Sequence, residues 1–104
     1  MSAEKKEKAK AAAWFLYIVK CSDNTLYTGV TNDVSRRLAR HNSGVASRYT
    51  RSRLPVELVY HERCSGRSGA LKKEHAIKLL SRREKELYIK TKSTMRVSRR
   101  KSPE

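Results

Sequence analysis

The protein has 104 residues, 38% of them hydrophobic, and 25 Lys and Arg against 10 Asp and Glu give a formal net charge of +15. This length predicts one domain with a modest core, and no apolar run is long enough to span a membrane. The first residues lack an apolar signal-peptide stretch and two cysteines are too few for a disulfide framework, so we expect a cytoplasmic protein with free thiols, and association with the nucleoid is compatible with its charge. Such a charge indicates a polyanionic partner, with nucleic acid the first candidate and an anionic membrane surface the second.

The positive charge is divided unevenly along the chain. Residues 1–13 carry a net charge of +2, residues 91–104 carry +4, and residues 14–90 carry +9. Both ends are poor in large apolar residues, which predicts flexible basic tails over 1–13 and 91–104 around one domain at 14–90. Most of the excess charge therefore belongs to the predicted domain, and a basic domain indicates a polyanionic ligand more strongly than a basic tail does.

The predicted domain begins with a β-hairpin. Residues 14–19 form a short aromatic and β-branched run typical of a strand, and residues 26–31 form a second, with turn residues between them. A three-residue loop with its asparagine in the left-handed conformation would pair Tyr17 with Gly29 and place Tyr27 on the same face as Tyr17. A two-residue turn would put the two tyrosines on opposite faces, so loop length decides whether they meet.

A helix is predicted next, capped by Asn32 or Asp33 and ending near Asn42. The stripe expected to face the protein consists of Val34, Arg37, Leu38 and His41. Arg36 and Arg40 fall on the other side, where solvent is expected. An arginine on an inward stripe is unusual unless it lines a site, so Arg37 is the first candidate functional residue.

The rest of the domain alternates between polar and apolar segments. Residues 43–54 are polar and are expected to form a loop, followed by a strand over 56–62 and a helix over about 68–80. The capping-box pattern at Ser81 predicts a separate last helix that ends near Lys90. The predicted element order is β-β-α-β-α-α, an α+β domain.

Five side chains in a fixed order resemble the GIY-YIG nuclease domain. Tyr17 lies in the first strand, Tyr27 is followed two residues later by a glycine, Arg37 is followed by His41, and Glu74 lies on the next helix. The resemblance covers about residues 14–90 and is greatest to the small stand-alone bacterial GIY-YIG proteins. It implies a small three-stranded antiparallel sheet with helices.

The resemblance also implies an activity, namely a divalent-metal-dependent endonuclease that hydrolyses DNA phosphodiesters with Mg²⁺ or Mn²⁺. Tyr17 would act as general base or orient the attacking water, and Tyr27 would share its hydrogen-bond network. Arg37 would hold the scissile phosphate, and His41 would hydrogen-bond the network or shuttle a proton. Glu74 would be the main protein ligand of the metal ion.

The chemistry itself requires such residue types. Phosphodiester hydrolysis needs an activated water and cationic support for the developing charge, which arginine supplies as a permanently charged fork. One carboxylate with the phosphate can hold Mg²⁺, which keeps several waters. A phenol with an ordinary pKa of about 10 is a poor base and needs a neighbouring cation.

Further basic residues are expected to contact the nucleic-acid backbone. In the loop after the first helix, Tyr49 lies among arginines and is placed to stack on a base. The residues predicted to bind nucleic acid are Arg48, Tyr49, Arg51, Arg53, Lys72 and Lys73. Without an obvious sequence-reading module, the substrate would be chosen by structure, as single-stranded, flap or branched DNA in repair or recombination. We expect no membrane partner, and a monomer is the default.

Several alternatives remain open. The two tyrosines would also suit aromatic cross-strand packing, and Glu74 would suit a surface ion pair with Lys78. Zinc binding by the cysteines and histidines is a weak option, because the spacing of Cys21, Cys64, His61 and His75 matches no standard motif. Many GIY-YIG proteins carry an asparagine after the glutamate helix, and none follows Asn42 here. A non-catalytic protein that binds DNA, RNA or the ribosome on the same fold is therefore the alternative function.

Overall fold

The computed structural model of the protein describes residues 13–101, with side chains described as far as Ser93. The predicted N-terminal tail over 1–13 lies outside the described residues apart from Ala13, as do residues 102–104 of the predicted C-terminal tail. None of the helices in the described part is both long and apolar enough to cross a membrane.

Three antiparallel strands form the sheet, as predicted. They are β1 (Trp14–Lys20), β2 (Leu26–Thr31) and β3 (Glu57–Cys64), in the spatial order β2-β1-β3. The central strand β1 contains four consecutive buried residues, because both faces of the sheet are covered.

The hairpin between β1 and β2 has the three-residue loop that brings the tyrosines together. Asn24 has a φ of 71°, and the backbone N–H of Cys21 donates to the carbonyl of Thr25 at 2.8 Å. Tyr17 pairs with Gly29, and Val19 pairs with Tyr27. Alternation along the strands then places both tyrosines on one face, as the longer of the two predicted loops requires.

Four helices complete the fold. They are α1 (Val34–Asn42), α2 (Arg48–Arg51), α3 (Gly66–Lys78) and α4 (Arg82–Lys101). The carboxylate of Asp33 accepts the backbone N–H of Arg36 at 3.1 Å, so the predicted cap of α1 is confirmed. At the start of α4, Glu84 accepts the N–H of Ser81 while the Ser81 hydroxyl accepts the N–H of Glu84, which confirms the capping box.

Some predicted boundaries are wrong. The segment 43–54, predicted as a loop, contains the short helix α2. Strand β3 begins at Glu57 and not at Val56, because the Asn42 side chain hydrogen bonds to both the backbone N–H and the carbonyl of Val56. The last helix continues past Lys90 to Lys101, since no glycine or proline interrupts it.

The sheet separates two apolar clusters. On one face Leu16, Ile18, Tyr60 and Ile77 pack together, and α3 and α4 cover them. On the other face Tyr17, Val19, Cys21 and Val56 pack with partly buried residues that include Leu38 of α1. On α3, Leu71 is 37% exposed, whereas its neighbour Ala70 is buried. The second face, with α1 and α2, carries the candidate site.

Candidate active site

A buried chain of three polar side chains lies between the sheet and the helices of the second face. The Tyr17 hydroxyl lies 2.8 Å from Nε2 of His41, and Nδ1 of the same ring lies 2.8 Å from the hydroxyl oxygen of Thr50. The three residues are 2%, 1% and 0% exposed, respectively. Strand β1 presents Tyr17, the last turn of α1 presents His41, and α2 presents Thr50, so three separate elements fix the geometry.

The partners of Thr50 indicate which nitrogen of His41 carries the hydrogen. The Thr50 hydroxyl lies 3.4 Å from the backbone carbonyl of Ser47, which can only accept, and 3.3 Å from the Ser47 hydroxyl. On these contacts we assign Thr50 as a donor to Ser47 and as the acceptor of the hydrogen on Nδ1 of His41. Nε2 is then the unprotonated nitrogen, and it accepts the hydrogen bond donated by the Tyr17 hydroxyl.

Aromatic rings enclose this chain. The Tyr17 and His41 ring centroids are 5.7 Å apart, and Tyr27 meets the same imidazole edge-on at 5.4 Å. Tyr49 of α2 in turn meets Tyr27 edge-on at 5.8 Å. Both tyrosines thus pack against the His41 ring of α1, and these contacts hold the Tyr17 hydroxyl and the imidazole in one orientation.

Arg37 supplies the positive charge of the site. Burial raises the pKa of Tyr17 to about 12, with the charges of Tyr27 and Glu74 acting in the same direction and the Arg37 guanidinium opposing them. Burial, followed by the charge of Arg37, lowers the pKa of His41. The guanidinium therefore acts on both members of the Tyr17–His41 pair, and His41 is neutral near pH 7.

Glu74 of α3 is the carboxylate whose charge reaches Tyr17. Its side chain is 20% exposed and forms an ion pair with Lys78 at 3.1 Å, while the Lys78 ammonium lies 5.9 Å from the Tyr27 ring centroid. Among residues 13–93, no three His, Cys, Asp or Glu side chains are grouped closely enough to form a metal cage. Mg²⁺ commonly uses one or two carboxylates with waters and phosphate oxygens, so a single carboxylate such as Glu74 is compatible with it.

Comparisons with known proteins identify the family of this chain. The family model of the GIY-YIG catalytic domain matches residues 13–94. The chain belongs to the GIY-YIG family. GIY-YIG domains form a nuclease superfamily, which implies nucleic acid as the partner of this domain.

The relatives and solved structures agree with this assignment. A UPF0213 protein of Desulfotalea psychrophila is 50% identical over 91 residues, which cover 86% of this chain and 83% of that protein. A UPF0213 protein of Natronomonas pharaonis is 51% identical over 79 residues, 76% of this chain and 93% of that protein. The solution structure of a Bacillus halodurans UPF0213 protein is 40% identical with a TM-score of 0.52, and it covers 77% of this chain and 85% of that one. A solution structure of a protein from E. faecalis is 39% identical with a TM-score of 0.57, and the match covers 79% of this chain and 88% of that one.

The arginines of the segment around α2 differ in their exposure and contacts. Arg48 and Arg51 are exposed on α2. The side chain of Arg53 is 36% exposed but is occupied by contacts within the protein. Its guanidinium pairs with Asp23 at 2.9 Å, donates to the Tyr49 carbonyl at 2.8 Å and lies 4.0 Å from the Tyr49 ring centroid. One face of Tyr49 is therefore covered by Arg53. The predicted nucleic-acid contacts of this segment stay predictions, with Arg48 and Arg51 the accessible cations.

The two lysines before Glu74 also differ. Lys72 is exposed, whereas Lys73 pairs at 2.9 Å with Glu62 of β3. Glu62 pairs with Leu16 in the sheet, so it belongs to the face opposite Tyr17. Lys73 is thus directed away from the Tyr17 side of the sheet.

Sequence reasoning missed Thr50, although it completes the hydrogen-bond chain. The local indication was Ser47, whose hydroxyl accepts the backbone N–H of Thr50 at 3.2 Å and caps α2. A serine three residues before a threonine is compatible with such a cap, but it does not reveal a contact with a histidine nine residues earlier.

The residues of the zinc alternative do not lie close together, since Cys21 follows one end of β1 and Cys64 pairs with Trp14 at the other end.

Proposed function

We propose that this GIY-YIG protein is a divalent-metal-dependent endonuclease that hydrolyses DNA phosphodiesters in single-stranded, flap or branched substrates. The observation that supports it most is the Tyr17 hydroxyl, hydrogen bonded to a neutral buried histidine and lying within the electrostatic influence of both Arg37 and Glu74. A proton acceptor, a phosphate-binding cation and a carboxylate are the groups that this hydrolysis needs.

The hydrogen bonding suggests how a phenol of raised pKa can still accept a proton. As the water oxygen bonds to phosphorus, the Tyr17 oxygen takes one water proton and passes its own proton to Nε2 of His41. A bridging P–O bond breaks, and the departing oxygen takes a proton from solvent. No free phenolate accumulates, so the raised pKa of Tyr17 is not an obstacle.

His41 becomes a cation in this step, and two contacts support the charge. The Thr50 hydroxyl accepts the Nδ1 hydrogen throughout. A phosphate bound by Arg37 offsets the positive charge that lowers the pKa of His41, so substrate binding makes the histidine a better acceptor. Mg²⁺ or Mn²⁺ held by Glu74 would stabilise the charge on the phosphate oxygens and lower the pKa of its bound water.

A non-catalytic nucleic-acid-binding function is the second candidate. It is favoured by the ion pair between Glu74 and Lys78, which occupies the one carboxylate proposed to hold the metal. Binding a metal would require the lysine to move aside. The absence of an asparagine after Asn42 agrees with the same alternative.

A cleavage assay tests the proposal. The protein is incubated with Mg²⁺ or Mn²⁺ and labelled single-stranded, flap and branched DNA, beside the variants Glu74→Gln, Arg37→Ala and Tyr17→Phe. Glu57→Gln and Arg83→Ala, at exposed positions, are the matched controls. We expect cleavage by the protein and both controls, with a loss of about 10²-fold or more in each site variant. Absence of cleavage on every substrate, or undiminished cleavage by Glu74→Gln, would contradict it, and binding without cleavage would support the second candidate.

A further inference from the structure

A cavity of about 390 Å³ opens beside the candidate active site, at the first turns of α1. It is lined by Thr31, Asn32, Asp33, Arg36, Arg37 and Arg40. Three of these six residues are arginines, and Arg37 is shared with the site that contains Tyr17 and His41. The cavity is therefore an extension of the candidate active site, and apart from Arg37 its lining residues take no part in the proposed catalytic steps.

Arg36 and Arg40 are available for an external anion, whereas Arg37 also interacts with the Tyr17 hydroxyl. Among the side chains described up to Ser93, none of the four ion pairs involves Arg36, Arg37 or Arg40. The lining carboxylate, Asp33, already accepts the backbone N–H of Arg36 as the cap of α1. Three guanidinium groups against one carboxylate leave the lining with a net positive charge.

Helix geometry places the two further arginines together. Arg36 and Arg40 are four residues apart, so their Cβ atoms are neighbours on one side of α1, about 5–6 Å apart. Both are exposed, in agreement with their expected position away from the inward stripe, yet both line the same cavity as Arg37. Two adjacent guanidinium forks suit the oxygens of a single phosphate group.

We propose that Arg36 and Arg40 form a second phosphate site, which binds a backbone phosphate neighbouring the one held by Arg37. This inference rests on the proposed function, because it places a nucleic-acid strand across the start of α1 with one phosphate at the reacting position. Two phosphate contacts on one strand fix its register, so that a single bond lies next to Tyr17. The strand is recognised through its backbone and not through its bases.

Binding measurements test the second site without requiring cleavage. The affinity for a fluorescent single-stranded oligonucleotide is measured by anisotropy over a range of salt concentrations, in chelator. Arg36→Ala/Arg40→Ala is compared with Arg63→Ala/Arg83→Ala, which removes the same charge at exposed positions elsewhere. We expect about a tenfold loss of affinity in the first variant, and a salt dependence lowered by about 0.7 in the slope of log K against log salt concentration. Equal changes in the two double variants would overturn the proposal.

Substrates with one neutral linkage locate the second phosphate. A methylphosphonate is placed at each position around the cleaved bond in turn. The wild type should lose cleavage when the methylphosphonate replaces the scissile phosphate and when it replaces one neighbouring phosphate. Cleavage by Arg36→Ala/Arg40→Ala should still be lost at the scissile position, but should no longer change when the neighbouring phosphate is replaced. Unchanged sensitivity in this variant would overturn the second site while leaving the endonuclease standing. Selective loss of binding in a protein that never cleaves would retain the site and contradict the endonuclease.

Discussion

Gly29 lies directly opposite Tyr17 in the hairpin, and the Tyr17 ring occupies the space that a side chain at position 29 would fill. A Cβ atom built on Gly29 would lie 2.5 Å from the Tyr17 hydroxyl oxygen and 2.7 Å from the ring carbon that bears it. The glycine at position 29, two residues after Tyr27, is therefore a steric requirement of the Tyr17 ring. It lets the hydroxyl cross β2 towards His41.

Gly29→Ala should displace Tyr17 from His41. The ring is buried and fixed by its hydrogen bond, so relief of the clash costs about 1–3 kcal/mol of stability, and misplacement of the hydroxyl lowers cleavage by about 10²-fold. Denaturant unfolding and single-turnover cleavage measure the two effects. Gly69→Ala is the matched control, because its Cβ would meet only the side chain of Ser65. Equal cleavage by Gly29→Ala and the wild type would contradict the steric argument.

Thr50→Val should leave the Nδ1–H of His41 without an acceptor. The valine has nearly the same shape, so the change isolates the hydroxyl, and we expect a loss of about 1–3 kcal/mol in the free energy of unfolding. The cleavage rate should fall about 10–100-fold, as for other residues that orient a functional histidine. Thr50→Ser keeps the acceptor and should retain most of the rate.

A spectroscopic measurement separates positioning from a purely structural effect of Thr50. Nitrogen chemical shifts of the His41 ring report which nitrogen carries the hydrogen. The wild type and Thr50→Ser should show hydrogen on Nδ1, whereas Thr50→Val should show a mixture of tautomers. An unchanged tautomer in Thr50→Val would mean that Thr50 does not orient the ring.

Much of this fold follows from rules that act over a few residues. The left-handed preference of Asn24 and the strand alternation together determine which face carries Tyr17, and the caps at Asp33 and Ser81 are local side-chain contacts. The true end of α4 was also readable, because the first helix breaker after Lys90 is Pro103. Charge and low hydrophobicity do not by themselves end a helix, so the predicted end near Lys90 is too early.

The parts of the site that sequence reasoning missed depend on contacts between distant residues. Arg53 resembles its neighbouring arginines in sequence, but the fold brings it to Asp23, thirty residues earlier in the chain. Thr50 lies in a polar segment without apolar periodicity, and only the packing of α2 against Tyr27 brings it to His41. No spacing rule contains this information, since it arises from tertiary packing.

The neutral state of buried His41 predicts an acid-sensitive stability. Its pKa is lowered in the folded protein by burial and by Arg37, while the unfolded chain has the usual value of about 6.5. As the pH falls below about 6.5, the unfolded state therefore takes up a proton that the folded state does not. Stability should be fully present above this pH and decrease below it, by at most about 1.4 kcal/mol per pH unit. Tyr17 and Thr50, which contact the ring, stay uncharged in this range.

Denaturant unfolding between pH 5 and 8 measures this effect. The quantity compared is the change in the free energy of unfolding per pH unit, and not the free energy itself. His41→Gln should remove the pH-dependent component, and His75→Gln, at an exposed position on α3, should retain it. Nuclear magnetic resonance titration of the His41 ring protons gives an independent value in the wild type. A folded-state pKa at or above the usual value for histidine would contradict the prediction.

Glu62 links α3 and α4 to β3 on the face of the sheet opposite the candidate site. Its carboxylate accepts the hydroxyl of Tyr60, the hydroxyl of Tyr88 at 2.6 Å and the ammonium of Lys73 at 2.9 Å. Burial raises the pKa of Glu62, but these three hydrogen bonds outweigh it and lower the pKa. The carboxylate is thus ionised in the folded protein, and its contribution to stability is lost only as the pH falls below its usual value of about 4.3.

Glu62→Gln should destabilise the protein by about 1.5–3 kcal/mol, because the neutral amide replaces a charged acceptor of three hydrogen bonds. Tyr88→Phe should cost about 1 kcal/mol by removing one of them. Hydrogen exchange should report the loss chiefly as faster exchange in α4, since Tyr88 anchors that helix to β3. Glu57→Gln, at an exposed position of the same strand, is the control and should leave unfolding and exchange unchanged.

Because Glu62 lies on the face of the sheet opposite the candidate site, its variants should still bind nucleic acid with wild-type affinity. A loss of binding equal to that of the Arg36 and Arg40 variants would contradict the separation of the two faces.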